Sequence, residues 1–282
     1  MVGITIQCRL GNQFFQYFFI RALSEKHNTG FFINQSLDKF LLSEYFLLSG
    51  YNPLKNLINK ILFKSIHTQF WKKISNVEIG EFNNAYKDLK GLENNKSYGG
   101  YFQSENFFTT LKKPISSYIR LKPELKKSFN KKYGYLFKKE TIVVHVRRGD
   151  YLNLNDWWLK NLGSSDLTLP KEYYLQCLNG IENLNGYNII FISDDIDYIQ
   201  REFKDIENKN LINGTLIEDF QILMNADICI LSNSSYSWWG AYLNNKVEKQ
   251  IYCPKYWLGF KIHKEYPKGI IPQNWSQIEI NS

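Results

Sequence analysis

The second half of the chain alternates short, almost entirely apolar runs with segments of helical periodicity. Apolar runs of this length predict strands that are buried on both faces, and the segments between them predict helices. Strands of this kind, separated by helices, are typical of a parallel sheet that is covered on both sides. The predicted strands are 141–146, 187–193, 228–232 and 250–253, and the predicted helices are 170–178, 196–203, 218–225 and 236–243.

The beginning of the chain has a similar pattern. Residues 3–10 are predicted to be extended, Gly11-Asn12 to form a turn with Asn12 as a helix cap, and residues 13–26 to be helical. Phe31-Phe32-Ile33 predicts a second strand, so the chain opens as a βαβ unit. Residues 37–97 are rich in Asn, Lys and aromatic residues and are interpreted as mostly helix and loop.

Two segments of this type predict an α/β protein with two lobes, 1–138 and 139–282. In open parallel sheets ligands bind beyond the carboxyl ends of the strands. The polar motifs of the second half all follow predicted strands, so they are the candidates for a binding site.

The net charge of +8 is concentrated in one segment. Residues 112–139 contain nine lysines and Arg120 but one acid, Glu124. Leu125, Phe129 and Tyr133 recur every four residues there, which predicts an amphipathic helix. The segment is interpreted either as a solvated helix between the lobes or as a surface for an anionic partner, such as a nucleotide sugar, an anionic lipid surface or nucleic acid.

Other features narrow the class of protein. No apolar run approaches the roughly 18 residues of a membrane helix, and the amino terminus lacks the pattern of a signal peptide, so a cytoplasmic protein is expected. The four cysteines form no C-x-x-C pair and are expected to be buried thiols. The four histidines are widely spaced, and no metal site is predicted.

The central motif is His145-Val146-Arg147-Arg148-Gly149-Asp150, directly after a predicted strand. Guanidinium groups bind phosphate oxygens in bidentate fashion, so Arg147 and Arg148 are candidates for holding a diphosphate as it leaves a sugar. The alternative interpretation is a structural ion pair between Arg147 and Asp150, with Arg148 directed to water.

Two further motifs follow strands. In Ser193-Asp194-Asp195 the carboxylates could hold a metal, accept hydrogen bonds from a base or ribose, or cap the next helix. The run 232–237, Ser-Asn-Ser-Ser-Tyr-Ser, opens a predicted helix and resembles a phosphate-binding nest. Trp238-Trp239 is interpreted as packing, and Glu218-Asp219 as acids that favour a helix dipole.

Six motifs in order resemble the family 11 glycosyltransferases, the α-1,2-fucosyltransferases, over nearly the whole chain. They are Leu10-Gly11-Asn12-Gln13-Phe14-Phe15-Gln16-Tyr17, Gly100-Tyr101-Phe102-Gln103-Ser104-Glu105, residues 145–151, residues 191–195, residues 233–244 and Pro254-Lys255-Tyr256-Trp257. The family usually has two glycines before the first motif, where this chain has Cys8 and Arg9.

The resemblance implies a GT-B-like α/β fold in which two Rossmann-like lobes face each other across a cleft. It implies GDP-fucose as donor, the 2-hydroxyl of a terminal galactose as acceptor, inversion at the anomeric carbon, and no cofactor or metal. It also places the motif arginine on the β-phosphate and His145 with Asp194 or Asp195 near the guanosine. The loop that contains residues 234–237, called the serine loop below, is placed near the phosphates. The expected donor-binding residues are Asn12, His145, Arg147, Ser193, Asp194, Asp195, Asn233, Ser234, Ser235 and Ser237.

The catalytic assignment on this interpretation is Arg147 and Arg148 against the leaving diphosphate. The general base is left open between Asp150 and Glu105. Gln103, Trp157 and Trp158 are expected to contact the acceptor, because tryptophans stack on sugars. The segment 152–169 that carries the two tryptophans has a second interpretation, as a packed segment that closes the lobe.

Three alternatives remain at this stage. The first is a GT-B transferase that uses another GDP-sugar or forms another linkage. The second is a non-enzymatic, basic nucleic-acid-binding protein, for which the sequence has no recognisable motif. The third supplements the enzyme: the acceptor is lipid-linked, and residues 112–139 make a peripheral contact with the inner face of a membrane.

Overall fold

A computed structural model describes residues 1–35, 38–69, 76–78 and 88–280. The chain divides into two compact units, Met1–Lys122 with Pro267–Gly269, and Pro123–Tyr266 with Ile270–Ser282. The division therefore lies before the one expected after residue 138. The reason is that the helix Pro123–Tyr133 belongs to the second unit, where Lys132 pairs with Glu218.

The first unit contains a parallel sheet of four strands. Its strands lie in the order β2-β1-β5-β4, and every neighbouring pair among them is parallel. A short antiparallel pair, β3 and β6, accompanies the sheet. The elements are β1 (Val2–Ile6), α1 (Leu10–Lys26), β2 (Phe31–Gln35), α2 (Leu41–Tyr45), β3 (Phe46–Leu48), α3 (Pro53–Gln69), β4 (Asn76–Glu78), β5 (Ser97–Gly99) and β6 (Ile119–Leu121). The described parts of residues 37–97 thus contain β3, β4 and the first residue of β5 besides helix and loop.

Helix α1 begins earlier than predicted. Cys8 has a φ of 62°, a left-handed conformation that ends the extended segment, and Arg9 is the residue that precedes the helix. Gly11 and Asn12 therefore lie in the first helical turn, so the predicted turn with an Asn12 cap is wrong. Gln13 explains the early start, because its side-chain amide donates to the Cys8 carbonyl at 2.8 Å and fastens the bend to the helix.

The second unit contains a sheet of six parallel strands in the order β12-β11-β10-β7-β8-β9. Only the two edge strands, β9 and β12, were not predicted, because their mixed polar residues lack the apolar run of a central strand. The elements are α4 (Pro123–Tyr133), β7 (Thr141–Val146), α5 (Asp156–Leu162), α6 (Lys171–Asn179), β8 (Asn188–Ser193), α7 (Ile196–Glu202), β9 (Lys209–Ile212), α8 (Leu216–Asn225), β10 (Ile228–Ile230), α9 (Ser235–Tyr242), β11 (Gln250–Pro254) and β12 (Ser276–Ile278).

The tandem tryptophans of α9 are part of the core. Trp238 and Trp239 are fully buried. The Trp238 indole donates a hydrogen bond to the Ile270 carbonyl at 2.8 Å, and its ring stacks on Tyr242 with centroids 4.5 Å apart. The prediction that these tryptophans serve packing is confirmed.

The sheet of the second unit reverses its strand order at one point. In the second unit the chain runs from β7 to β8 and β9, and then returns to place β10 on the other side of β7. The loops that follow β7 and β10 leave in different directions, and such a switch point is where open α/β sheets bind ligands. In the first unit β2 and β5 flank β1, but the outer strand β4 precedes β5 in the chain.

The basic segment 112–139 spans both units. Its predicted amphipathic helix is present as α4, with Phe129 and Tyr133 buried and the lysines Lys126, Lys127 and Lys131 exposed. Within the described parts of the chain, no helix is long and apolar enough to cross a membrane.

Candidate active site

Arg147 lies directly beyond the carboxyl end of β7 and bridges two carboxylates. Its NH1 group is 2.7 Å from Asp194 Oδ2, and its NH2 group contacts Asp150 Oδ1. Its guanidinium lies 5.6 Å from the centre of the Tyr151 ring. A guanidinium has five N–H donors, and the two carboxylates use one each, so Arg147 retains donors for a further anion. The predicted Arg147–Asp150 pair is therefore present, and a second acid holds the same side chain.

Arg148 is held by a different pair of residues. Its Nε donates to Asp195 Oδ2 at 3.0 Å, and its guanidinium lies over the Tyr198 ring, 3.7 Å from the centroid. The interpretation that Arg148 points to water is wrong, because the β8–α7 connection supplies both a carboxylate and an aromatic face for it. The side chain is fixed before any ligand binds.

The turn that directly follows the two arginines contains a glycine in a close contact. Gly149 has a φ of +20°, and a Cβ at that position would lie 2.4 Å from Asp194 Oδ2. The other oxygen of Asp194 accepts a hydrogen bond from the Arg148 backbone N–H at 2.9 Å. The glycine thus allows the Asp194 carboxylate to approach the loop closely enough to orient Arg147.

His145 is buried inside β7, on the side of β10. Its Nδ1 lies 2.7 Å from the hydroxyl of Ser232, and its ring packs near Tyr236 at 5.6 Å. Burial, with the positive charge of Arg147 as a smaller cause, lowers the pKa of His145 to about 3. The imidazole is therefore neutral at pH 7, and it can act through hydrogen bonds but not through charge.

Ser193 and Asp195 shape the connection after β8. Asp195 Oδ1 accepts a hydrogen bond from the Tyr198 backbone N–H at 3.0 Å, so it caps α7 as one of the sequence interpretations proposed. The nearly buried Ser193 accepts from the Asp195 N–H at 2.9 Å. Asp194 and Asp195 each contact an arginine, which makes them the groups that position the two guanidinium side chains.

The serine loop follows β10 and leads into α9. Ser234 caps the helix by accepting from the Tyr236 N–H, and Ser235 is half-buried at the helix start. Ser237 is fully buried and donates to backbone carbonyls of the same loop, including that of Ser234 at 3.1 Å. Asn233 is also fully buried, and its amide donates to the Leu167 carbonyl at 2.9 Å. Ser237 and Asn233 therefore shape the loop from inside, whereas Ser234 and Ser235 lie nearer its surface.

A further acid belongs to this edge of the sheet and was not identified as a site residue from the sequence. Asp219 lies in the first turn of α8, where it accepts a hydrogen bond from the Gly214 N–H at 3.2 Å. Burial raises its pKa to about 7, despite that hydrogen bond. The Tyr236 hydroxyl donates to the Leu216 carbonyl at 2.5 Å and links α8 to the serine loop. The sequence indicated Asp219 only as an acid that favours the helix dipole, because its altered pKa results from burial in the folded protein.

The segment 152–169 is attached to the loops of the site. The Leu167 N–H donates to the Tyr151 carbonyl at 2.9 Å, and the Asn233 amide donates to the Leu167 carbonyl. Trp157 and Trp158, in α5, are half-buried and meet edge to face at 5.3 Å. These bonds favour the packed-segment interpretation, and the acceptor contact of the two tryptophans stays a prediction.

The remaining predicted residues lie in the first unit. Gln103 donates to Asn12 Oδ1 at 2.7 Å, which joins the start of α1 to the loop after β5. Gln16 is buried and donates to the Gly100 carbonyl at 3.0 Å, so this motif glutamine, like Gln13, is structural. Glu105 lies two residues beyond Gln103, at the start of a short 3-10 helix. The fold of the first unit thus brings Asn12 and Gln103 together, although they are 91 residues apart in the chain.

The chain resembles a family profile and two known proteins in sequence. The sequence profile of glycosyl transferase family 11 matches residues 1–279. An alpha-1,2-colitosyltransferase of Escherichia coli is 25% identical over 96% of this chain and 96% of its own length. The O-antigen biosynthesis glycosyltransferase WbnK of Escherichia coli is 33% identical over 42% of this chain, a match that spans 39% of that relative.

Among solved structures, the fucosyltransferase NodZ from Bradyrhizobium superposes with a TM-score of 0.50 at 11% identity, over 86% of this chain and 93% of that one. This likeness shows the fold, and with the two parallel sheets it confirms the GT-B-like α/β class. The family profile covers nearly every residue and includes all six motifs. The chain belongs to glycosyl transferase family 11.

Proposed function

We propose that this glycosyltransferase moves L-fucose from GDP-fucose to the 2-hydroxyl of a terminal galactose, with inversion and without a metal. The observation that carries the proposal is Arg147, which two carboxylates hold directly beyond β7, at the switch point of a parallel sheet. A fixed guanidinium in this position can receive the charge that develops on a departing diphosphate. Membership of family 11 and the α-1,2 linkage in the name of a full-length relative support the linkage.

Binding of a diphosphate requires a rearrangement of charge in this site. Arg147 and Arg148 face Asp150, Asp194 and Asp195, so the cluster has one more negative than positive charge. Asp150 is the most exposed of the three acids, at 52%, and its pair with Arg147 is therefore the weakest. We infer that the β-phosphate replaces Asp150 on NH2, while Asp194 keeps NH1 in place.

This exchange gives Asp150 a second role. Once Arg147 binds phosphate, the Asp150 carboxylate is released from the NH2 group of Arg147 and can accept a proton from the acceptor hydroxyl. Glu105 is the other candidate for the base, and Gln103, Trp157 and Trp158 are the candidates for acceptor contacts. If Asp150 is the base, Asp150→Asn lowers turnover at least tenfold and leaves donor affinity nearly unchanged.

The nucleoside is proposed to lie beside His145. A neutral imidazole accepts and donates hydrogen bonds without disturbing the ion pairs next to it, which suits contact with ribose or guanine. Ser193, Asp194, Asp195 and the loop 233–237 complete the proposed donor site, with Asn233 and Ser237 acting through the shape of the loop.

A different donor sugar is the main alternative, and a specific observation favours it. The relative that matches 96% of both chains is named for transfer of colitose. The site would then keep its nucleotide contacts and differ where it meets the sugar. The non-enzymatic, nucleic-acid-binding alternative is inconsistent with membership of a glycosyltransferase family.

The test is transfer to lactose in the presence of EDTA, with GDP-fucose compared against other GDP-sugars, and with the linkage of the product determined by NMR. Formation of α-1,2-fucosyl-lactose in EDTA supports donor, linkage and metal independence together. Transfer from another GDP-sugar alone moves the assignment to that sugar. Failure to bind any GDP-sugar contradicts the proposal.

The acceptor is further proposed to be lipid-linked, since one relative is named for O-antigen biosynthesis. The proposed membrane contact through residues 112–139 has support from charge alone. On the apolar face of α4, Phe129 and Tyr133 are buried within the second unit and Leu125 is half-buried, so this helix exposes mainly lysines.

A further inference from the structure

Helix α3 is oriented with its polar side toward the protein. Asn56 pairs with the edge of β2 like an additional strand: its Oδ1 accepts from the Ile33 N–H at 2.7 Å, and its Nδ2 donates to the Ile33 carbonyl at 3.0 Å. Asn59 donates to the Phe31 carbonyl at 2.7 Å. Phe63 is the buried apolar contact of this face, against Phe32 with ring centroids 4.7 Å apart. The helix therefore covers a sheet edge mainly through hydrogen bonds.

The opposite side of α3 is apolar and exposed. Among the side chains of α3 that the structure describes, the five aliphatic ones have exposed fractions between 47% and 68%. At 100° per residue they fall within an arc of about 140°, opposite the face that packs on β2. These residues, which we call the outer face, are Leu54, Leu57, Ile58, Ile61 and Leu62. Contiguous apolar surface of this kind marks an interaction site rather than ordinary exposure.

Positive charge borders the outer face on both sides. On the same helical projection Lys55 lies at one margin, and Lys60 and Lys64 lie at the other. Helix α3 has no acidic residue among its 17 positions. A helix with an apolar stripe between lysines has the pattern of helices that lie in the plane of a membrane, with lysines directed to anionic head groups.

We propose that α3 is a membrane-surface helix that binds anionic lipid bilayers through its outer face and its flanking lysines. Two observations favour a bilayer over a protein partner. A two-fold contact between copies would bring the same three lysines of each copy together, which is unfavourable. The outer face also lacks the Trp, Tyr and Arg side chains that usually anchor protein interfaces. The proposal does not depend on the identity of the sugar donor.

The test is flotation of the full-length chain with vesicles of phosphatidylethanolamine and phosphatidylglycerol, compared with vesicles of phosphatidylcholine. The wild-type chain is expected to float with the anionic vesicles only. Leu57→Ser/Ile61→Ser is expected to lower the bound fraction at least tenfold, and Lys55→Gln/Lys64→Gln to weaken binding and its dependence on salt. All four positions are on the surface, and thermal unfolding verifies that each variant is folded.

Two matched controls separate α3 from general surface effects. Leu159→Ser/Val247→Ser removes two other exposed aliphatic side chains, 50% and 97% exposed, and is expected to leave flotation unchanged. Lys126→Gln/Lys127→Gln removes two exposed lysines from α4 and is expected to have a smaller effect than the α3 lysine variant. The proposal is overturned if wild type does not bind anionic vesicles, or if the α4 variant loses binding while the α3 variants retain it. It is equally overturned if the α3 serine variant converts a dimer to a monomer in light scattering without changing flotation.

Discussion

Replacement of Arg147 by alanine tests the central assignment most directly. The side chain contacts Asp150 and Asp194 and lies where the leaving diphosphate is proposed to bind. Loss of one fixed donor to a developing negative charge lowers turnover about 10²–10³-fold, which corresponds to about 2.7–4 kcal/mol of transition-state stabilisation. Arg147→Ala is expected to lower kcat by this factor.

The same replacement should have little effect on folding. Asp150 is 52% exposed, so its ion pair contributes only about 0–1 kcal/mol to the free energy of unfolding. Asp194 is 28% exposed and keeps its hydrogen bond from the Arg148 backbone N–H. The free energy of unfolding is therefore expected to fall by no more than about 2 kcal/mol, well below the effect of losing a buried charge pair.

The assay is initial-rate transfer from GDP-fucose to lactose with EDTA, together with GDP affinity from calorimetry and unfolding in urea. Arg201→Ala is the matched control, because Arg201 is a 67% exposed arginine in the same unit, paired with Glu202. It should leave kcat unchanged. A kcat of Arg147→Ala within threefold of wild type would refute the role of Arg147. A collapse of stability with loss of kcat would make Arg147 a structural residue instead.

Three further predictions concern the same edge of the sheet. His145 has its pKa lowered to about 3, so the stability that it contributes as a neutral group is complete above about pH 6.5 and is lost as the pH falls toward 3. The free energy of unfolding should therefore depend on pH by the equivalent of about one proton in this range. His145→Asn should remove that contribution, measured by urea unfolding between pH 7 and pH 4, and an unchanged pH dependence would contradict the assignment. Asp219 has its pKa raised to about 7, so the native state retains a proton that the unfolded chain releases, and stability falls as the pH rises from about 4 to 7. Asp219→Asn should abolish that fall, measured as the difference in Tm between pH 5 and pH 8, whereas an equal fall in the variant would exclude Asp219 as its source. Gly149→Ala places a Cβ against Asp194 and should lower kcat at least tenfold, while Gly134→Ala, where the added Cβ has no neighbour within 4 Å, should not. Equal activities of the two alanine variants would show that the close approach of Asp194 is unimportant.

The sequence alone determined the central strands and the polar motifs at their ends. Strand β7 occupies the predicted residues 141–146, because its mainly apolar residues form the run that a strand buried on both faces requires. The position of Arg147 followed from the same rule, since the residues after a central strand emerge at the ligand-binding edge. The order of six motifs was enough to indicate the family that the sequence profile then identified.

Only the tertiary structure determined the side-chain orientations, pKa values and helix boundaries that depend on residues far apart in the chain. The orientation of Arg148 depends on Asp195 and Tyr198, supplied by another βα connection, and the pKa of His145 depends on burial between strands that pair across the sheet. The start of α1 depends on the left-handed backbone at Cys8, a conformation that a non-glycine residue does not signal. The outer face of α3 has the periodicity of an ordinary amphipathic helix, and periodicity indicates that one side is apolar without indicating which side packs on the protein. In α3 the hydrogen bonds of Asn56 and Asn59 to the edge of β2 determine which side packs on the protein, and the apolar side is left exposed.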